Sequence, residues 1–544
     1  MPLTPASLNA LLDARVRDLA ARRHPSSLQD HLRRVKEDRP KLMQCLGLEP
    51  LPQLCELNAQ VTGTIQRDGY RIDKIVYESR QGFYVTAHLY LPESEKAAPI
   101  VLRPHGHWQG KKSEPTVQAS AIGLVLSGYA VLVVDSPGDF GEPAGLNERA
   151  AQGPHNDFWL SMGTPMIGLY AWDLMRGIDY LRTRPEVDVE RIGITGASGG
   201  GLAALYAFAA DDRIKCAAPV CYATSMEAEP RNGCLCNHVP GVTEIGDRSD
   251  VLALRAPAPI LVIGATDDPE FPPAGASRTH EKLRSIYRLY DREQAVRAEI
   301  VESQHDYNRR MRESVLAFFD EHLMGLAKRS YRPEPRPITD GYFNSYPAET
   351  VPRDDPELLV LQEHRPTRTM RDLLEESILS PSPRGFDAKK RFVPWAKYGK
   401  LASEHPGGVV ALDDYDLNLN EIDQRFCIYL GISVCEFYAQ VLHLSLPGGF
   451  EGWEQSTLGA GGDVVTSLIG SMKALVHANN PASPVTEINA QGPCASMIAL
   501  HFKTLRPAVT ITVTHQWSSW LDLYRSEIET LSQPLARYLS WPAI

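Results

Sequence analysis

The sequence predicts an α/β fold, a mostly parallel sheet with helices on both faces, preceded by a helical extension and followed by a second, shorter α/β segment. Two observations carry this prediction. Short apolar runs such as Val131–Val134 and Ile260–Ile263 lack polar alternation, as expected of strands buried on both faces. Longer stretches of helical period lie between them, so strand and helix alternate along the chain, the pattern of a sheet built from crossover units.

The elements follow in order. Leu8, Leu11, Leu12, Val16 and Leu19 recur at helical spacing, and Leu32, Val35 and Leu42 continue the pattern after Pro25. From Tyr70 the period changes. Phe83–Leu91 reads as a strand, as do Pro99–Leu102, which runs into Pro104-His105-Gly106-His107, and Val131–Val134, which ends in Asp135. Helix Met166–Leu181, strand Ile192–Thr195, helix Gly201–Ala210 and strand Ala217–Val220 alternate next. Strands at Ile260–Ile263 and Ala298–Val301 and a helix over Arg309–Leu323 complete the unit. Between 329 and 391, prolines including Pro333, Pro335, Pro337, Pro352, Pro356 and Pro366 break any long element, which predicts a linker. The expected division is a helical extension over 1–60, a main domain over 61–328, this linker, and a last segment over 392–544.

Composition narrows the function. The chain has 544 residues, with 43% hydrophobic and 23% charged, an ordinary globular balance. Its 56 Lys and Arg against 67 Asp and Glu leave a net charge of −11, which argues against nucleic acid or an anionic membrane as partner. Apolar runs are too short to span a bilayer. Met1–Arg23 is interrupted by Asp13, Arg15, Arg17 and Asp18 and does not read as a signal peptide. Nine scattered cysteines do not suggest a disulfide framework. A cytoplasmic protein is expected.

The sharpest local signal is Gly196-Ala197-Ser198-Gly199-Gly200, between strand Ile192–Thr195 and the helix that follows. A serine on so tight a turn needs glycines around it, and the helix N-terminus offers backbone N–H groups to a developing oxyanion. A phosphate-binding or merely tight turn is the alternative. A serine hydroxyl also needs a base and a group to orient that base. His305 lies just past a strand, in Glu302-Ser303-Gln304-His305-Asp306-Tyr307, where a base at the sheet's edge is expected. The acid should follow the preceding strand, where Asp267 and Asp268 stand side by side; Asp268 is favoured. The second oxyanion donor is expected in the loop after the early strand, the backbone N–H of His107 joining that of Gly199. His105 and His107 alone supply two metal ligands where zinc needs three or four, so no metal and no cofactor are implied. Trp108 is expected at the pocket mouth. Asp135 could touch substrate, or could simply fix its own turn. Cys234, Cys236 and His238 lack zinc-finger spacing and are read as loop-shaping residues.

With these residues in place, the first 330 or so positions resemble the α/β-hydrolase superfamily, and within it the bacterial acetyl xylan esterase-like group. The likeness runs through Gly69-Tyr70-Arg71-Ile72, Gly82-Phe83-Tyr84-Val85, Pro104–Gly110 with Lys111, Pro185-Glu186-Val187-Asp188, Arg191-Ile192-Gly193, the serine turn, Asp268-Pro269-Glu270-Phe271-Pro272 and His305-Asp306-Tyr307-Asn308. The resemblance implies that the aspartate before the Pro-x-Phe-Pro run is the triad acid, Asp268. It implies a serine esterase working through an acyl-enzyme on a small ester, with Ser198, Asp268 and His305 catalytic. A peptidase or amidase, or an inactive hydrolase-fold interaction protein, are the other readings. Insertions between Gly141 and Met162 and from Cys221 to Val242 are expected to wall the pocket.

The last segment hides a possible repeat. Ungapped superposition of Ile488 on Ile192 also pairs Pro185 with Pro481, Gly196 with Gly492 and Ala203 with Ala499, and Val131–Asp135 resembles Val409–Asp413. Ser198 then falls on Cys494, and the counterparts of Asp268 and His305 fall past Ile544. A truncated, non-catalytic copy of the sheet is expected, serving homo-oligomerisation or walling the active site.

Overall fold

The apolar runs form the parallel centre of a nine-stranded sheet. It is seen in a computed structural model that describes residues 24–138, 148–149, 152, 165–226, 228, 237, 239, 242–336, 346–347, 349–361, 368–369, 373, 409–413, 487–491 and 510–513. The strands are β1 (Gln60–Arg67), β2 (Tyr70–Arg80), β3 (Phe83–Pro92), β4 (Ala98–Leu102), β5 (Ala130–Val134), β6 (Val187–Ala197), β7 (Ile214–Val220), β8 (Ile260–Ala265) and β9 (Val296–Val301). Their order is β1-β2-β3-β5-β4-β6-β7-β8-β9. The first three pair antiparallel, as does β3 with β5; every pairing from β5 to β9 is parallel.

The helices are α1 (Leu28–Cys45), α2 (Pro115–Val125), α3 (Met166–Leu181), α4 (Gly199–Ala210), α5 (Val242–Ile245), α6 (Arg248–Ala253), α7 (Pro273–Arg288) and α8 (Arg309–Leu323). Two cores flank the sheet. Leu42 of α1, Leu174 of α3, Leu205 of α4, Val251 of α6 and Leu283 of α7 belong to one, and Val117 of α2 and Phe318 and Phe319 of α8 to the other. A sheet with both faces covered is why the strands read as unbroken apolar runs.

This topology places the site. From β4 the chain leaves through α2 to β5 on one side; from β6 it leaves through α4 to β7 on the other, across the opposite face. The strand order therefore reverses between neighbouring β4 and β6. The loops leaving their C-terminal ends face each other across the crevice that such a switch point opens.

The Pro-rich stretch read as a linker does not hang free where it is described. Leu358 and Val360 are buried, at 2% and 1% exposure. Thr62 Oγ1 donates to Val360 O at 2.6 Å, Lys74 Nζ to Glu357 O at 3.0 Å, and Arg368 N to Gly82 O at 2.8 Å. Before them, Glu334 is buried against Arg312 of α8, with Arg312 Nε donating to Glu334 Oε1 at 2.6 Å. The prolines stop regular structure without stopping packing, because the extended backbone finds partners on β1 and β2.

In the last segment, β10 (Val409–Asp413), β11 (Glu487–Gln491) and β12 (Thr510–Val513) pair in that order, all parallel. β10 and β11 are direct neighbours, whereas the strands they resemble, β5 and β6, are separated by β4.

Candidate active site

Ser198 sits between β6 and α4 with φ 56° and ψ −124°, a left-handed backbone that a residue with a side chain adopts only when its surroundings impose it. The imposition is visible. Ser198 N donates to Val220 O at 3.1 Å, and Leu202 N donates to Ser198 O at 2.9 Å, so the turn is tied to neighbouring β7 and to the helix after it. A Cβ on Gly196 would lie 2.5 Å from Gly200 C, and one on Gly200 would lie 2.5 Å from Pro104 O. Only glycine fits at both positions. The turn is packed against the β4 loop, and the first N–H groups of α4 begin at Gly199, directly after the serine.

His305 and Asp268 come together from the ends of β9 and β8. His305 Nδ1 donates to Asp268 Oδ2 at 2.8 Å. Asp268 Oδ1 accepts the N–H groups of Glu270 and Phe271, each at 2.9 Å, so the side chain has a single orientation. Its side chain is fully buried, while that of His305 keeps 23% exposure. Burial alone would lower the His305 pKa; the hydrogen bond to Asp268 reverses this and raises it above the ordinary value. Asp267 points elsewhere: exposed, it accepts from Thr266 Oγ1 at 2.9 Å. The Phe271 ring lies 5.6 Å from that of His305, and Tyr307 links the histidine loop to β6 through its hydroxyl, 2.9 Å from Thr195 Oγ1.

The other predicted residues distribute as follows. The loop 104–108 lies against the serine, since a Cβ on Gly106 would fall 3.2 Å from Ser198 Cβ and 3.0 Å from Gly199 N. His107 and Trp108 are part-exposed on it, Trp108 packing against the α2 and α8 core. The Asp135 side chain is enclosed, Oδ2 accepting from Lys112 Nζ and Thr86 Oγ1, both at 2.6 Å, and Oδ1 from Lys112 N at 3.1 Å. With both oxygens engaged, its contacts match the alternative expectation, that it fixes its own turn. Cys234, Cys236 and His238, and most of both insertions, lie outside the described residues.

Cys221 was not singled out in the sequence, though its place directly after β7 is the signal that marked Asp268 and His305. Its Sγ donates to Asp306 O at 3.5 Å, and its sulfur lies within 4.8 Å of donor atoms of Asp268 and His305. Those three could in principle hold a metal ion. The carboxylate, however, is already engaged by two backbone N–H groups and the imidazole, an arrangement suited to orienting a base.

A switch-point crevice, a strained serine before a helix, and an aspartate–histidine pair on the two following strands define an α/β-hydrolase. The acetyl xylan esterase (AXE1) family matches residues 55–224, and the prolyl oligopeptidase family matches residues 170–325. "Putative hydrolase YtaP" of Bacillus subtilis (strain 168) is 27% identical over 267 residues, covering 46% of this chain and 87% of that protein. Among solved structures, Methylesterase BT1017 aligns at 21% identity with a TM-score of 0.49, covering 72% of this chain and 80% of the other. A glucuronoyl esterase from Solibacter usitatus aligns at 18% with a TM-score of 0.43, covering 55% and 94%. No helix among the described residues is long and apolar enough to cross a membrane.

Proposed function

We propose that the protein is a serine carboxylic-ester hydrolase acting through an acyl-enzyme on a small, neutral or weakly charged ester. The observation that carries this reading is that Ser198, at φ 56°, and the 2.8 Å His305–Asp268 pair follow β6, β9 and β8 of one parallel sheet. Ser198 attacks the ester carbonyl. His305 takes its proton and returns it to the leaving alcohol, and Asp268 holds the imidazole with Nε2 available to the serine. The N–H groups of Gly199 and His107 stabilise the oxyanion. Acetyl esters head the substrate class because of the family match over residues 55–224.

Nitrophenyl acetate turnover tests the mechanism. Ser198→Ala should lose at least about 10⁴ in kcat and all labelling by a fluorophosphonate, with unchanged folding. Retained turnover in that variant would sink the mechanism. The prolyl oligopeptidase match over residues 170–325 supports a second reading, cleavage of a small amide by the same residues. Comparing an ester and an anilide that share one acyl group separates the two.

A further inference from the structure

On the esterase reading, the second oxyanion donor is the N–H of His107, and its direction depends on the Gly106–His107 peptide plane. Among the described residues only Glu49-Pro50 and Ala256-Pro257 are cis, so this peptide is trans and its C=O and N–H point in opposite directions. Whatever holds the Gly106 carbonyl therefore aims the His107 N–H. Gly106 O meets His105 Nδ1 at 2.9 Å and the N–H of Trp108 at 2.9 Å.

A carbonyl oxygen only accepts, so Nδ1 of His105 must carry the proton. The other ring nitrogen makes the same demand. Ser136 N donates to Nε2 at 3.1 Å, which requires Nε2 to be bare. At 3.6 Å from Asp135 Oδ1, Nε2 is too distant for a hydrogen bond there. Two independent contacts thus select one neutral tautomer. Complete burial, which disfavours the imidazolium, maintains it and pushes the pKa down.

We propose that His105 is a positioning residue of the oxyanion hole: its Nδ1–H holds the Gly106 carbonyl away from the crevice and so keeps the His107 N–H turned toward Ser198. The closeness of Gly106 to Ser198 and Gly199 makes this peptide the right one to aim, since both donors must converge on one oxygen. The competing role is a strut, in which the bond from Ser136 merely ties the loop to the end of β5.

Two substitutions separate these roles. His105→Asn retains a donor at the δ position, for Gly106 O, and loses the ε acceptor. His105→Gln retains an acceptor at the ε position, for Ser136 N, and loses the δ donor. With nitrophenyl acetate, His105→Asn should stay within about threefold of wild-type kcat, while His105→Gln should fall by about 10²–10³ with little change in KM, the loss typical of one oxyanion donor. The reverse ranking, or equal losses in both, overturns the proposal in favour of the strut. Should either variant fail to fold, ¹⁵N-histidine spectra of the wild type decide. A through-hydrogen-bond coupling from ¹⁵Nδ1 of a neutral imidazole to the ¹³C-labelled Gly106 carbonyl supports the proposal, and a ring without that coupling overturns it. A wild type inert to both nitrophenyl acetate and fluorophosphonate refutes the esterase reading and this inference with it, whereas an active wild type with the wrong ranking refutes this inference alone.

Discussion

Replacing Lys112 by methionine tests what the buried ions behind the site contribute. Lys112 Nζ is 2.6 Å from Asp135 Oδ2 and also contacts the Glu148 carboxylate; the three side chains are 3%, 1% and 8% exposed. Burial alone would raise the Asp135 carboxyl, but Lys112 overrides it and holds that group well below the usual carboxylate range. Unit charges at 2.6 Å attract by about 6 kcal/mol at an effective dielectric of about 20. Desolvation of each ion costs several kcal/mol, so the intact pair adds little net stability. Removing one partner is another matter. Methionine keeps the stem and deletes the charge, taking the cation from both the Asp135 and Glu148 carboxylates, at a cost of about 3–5 kcal/mol. At about 2 °C per kcal/mol for a domain this large, the melting temperature should fall by about 6–10 °C in calorimetry at pH 7. Adding Asp135→Asn should recover part of the loss, because no unpaired charge then remains at that position. A single variant melting within about 1 °C of wild type, or a double variant whose losses simply add, would refute the reasoning.

Asp268→Asn should reduce kcat by about 10⁴ through loss of the imidazole's orientation, while Asp267→Asn, at an exposed position, should stay near wild type; equal effects would count against the assignment. His305 must be neutral to act as base, and its hydrogen bond to Asp268 outweighs burial to raise its pKa, so kcat/KM should rise with pH through a midpoint above 6.5. The stability it contributes runs the other way, being fully present below about 6.5 and lost as pH climbs through the raised value, which paired activity and unfolding titrations would detect. Ending the chain at 328 should destabilise it by at least about 3–6 kcal/mol, from exposing the Leu358 and Val360 sites and stranding Arg312, whereas ending it at 391 should leave melting and esterase activity nearly unchanged; equal melting of the two would show that the packed stretch contributes nothing.

What could be read from the chain, and what could not, follows from the range of the interactions. Helices Met166–Leu181 and Arg309–Leu323 have the bounds their periodicity predicts, since the apolar face alone defines them. The strand ends that carry the serine turn, Asp268 and His305 were legible for the same local reason. β2 was not. Asp73, Lys74, Glu78 and Ser79 interrupt its apolar pattern, yet all are buried, the first two against distant partners. Arg184 Nη2 reaches Asp73 at 2.6 Å from 111 positions away, and Lys74 reaches Glu357 O from 283 away. Polar residues neutralised across the fold look like surface residues in the sequence. The Pro-rich stretch misleads in the opposite sense: it lacks a period and still buries Leu358 and Val360.

Asp135 and Asp268 bring these arguments together. Both follow strands of one sheet, β5 and β8, and both side chains are enclosed, at 1% and 0% exposure. What separates them is the partner. Lys112, buried and flanked by two carboxylates that raise its pKa, stays charged near neutrality. His305 keeps 23% of its side chain exposed, and its hydrogen bond to Asp268 raises its pKa above the ordinary imidazole value. An enclosed aspartate paired with a permanent cation anchors a loop, and on the esterase reading one paired with a titratable, part-exposed imidazole orients a base. The division of labour between two similar aspartates therefore lies in residues 23 and 37 positions away from them, Lys112 and His305. For that reason the local sequence around Asp135 could not assign its role.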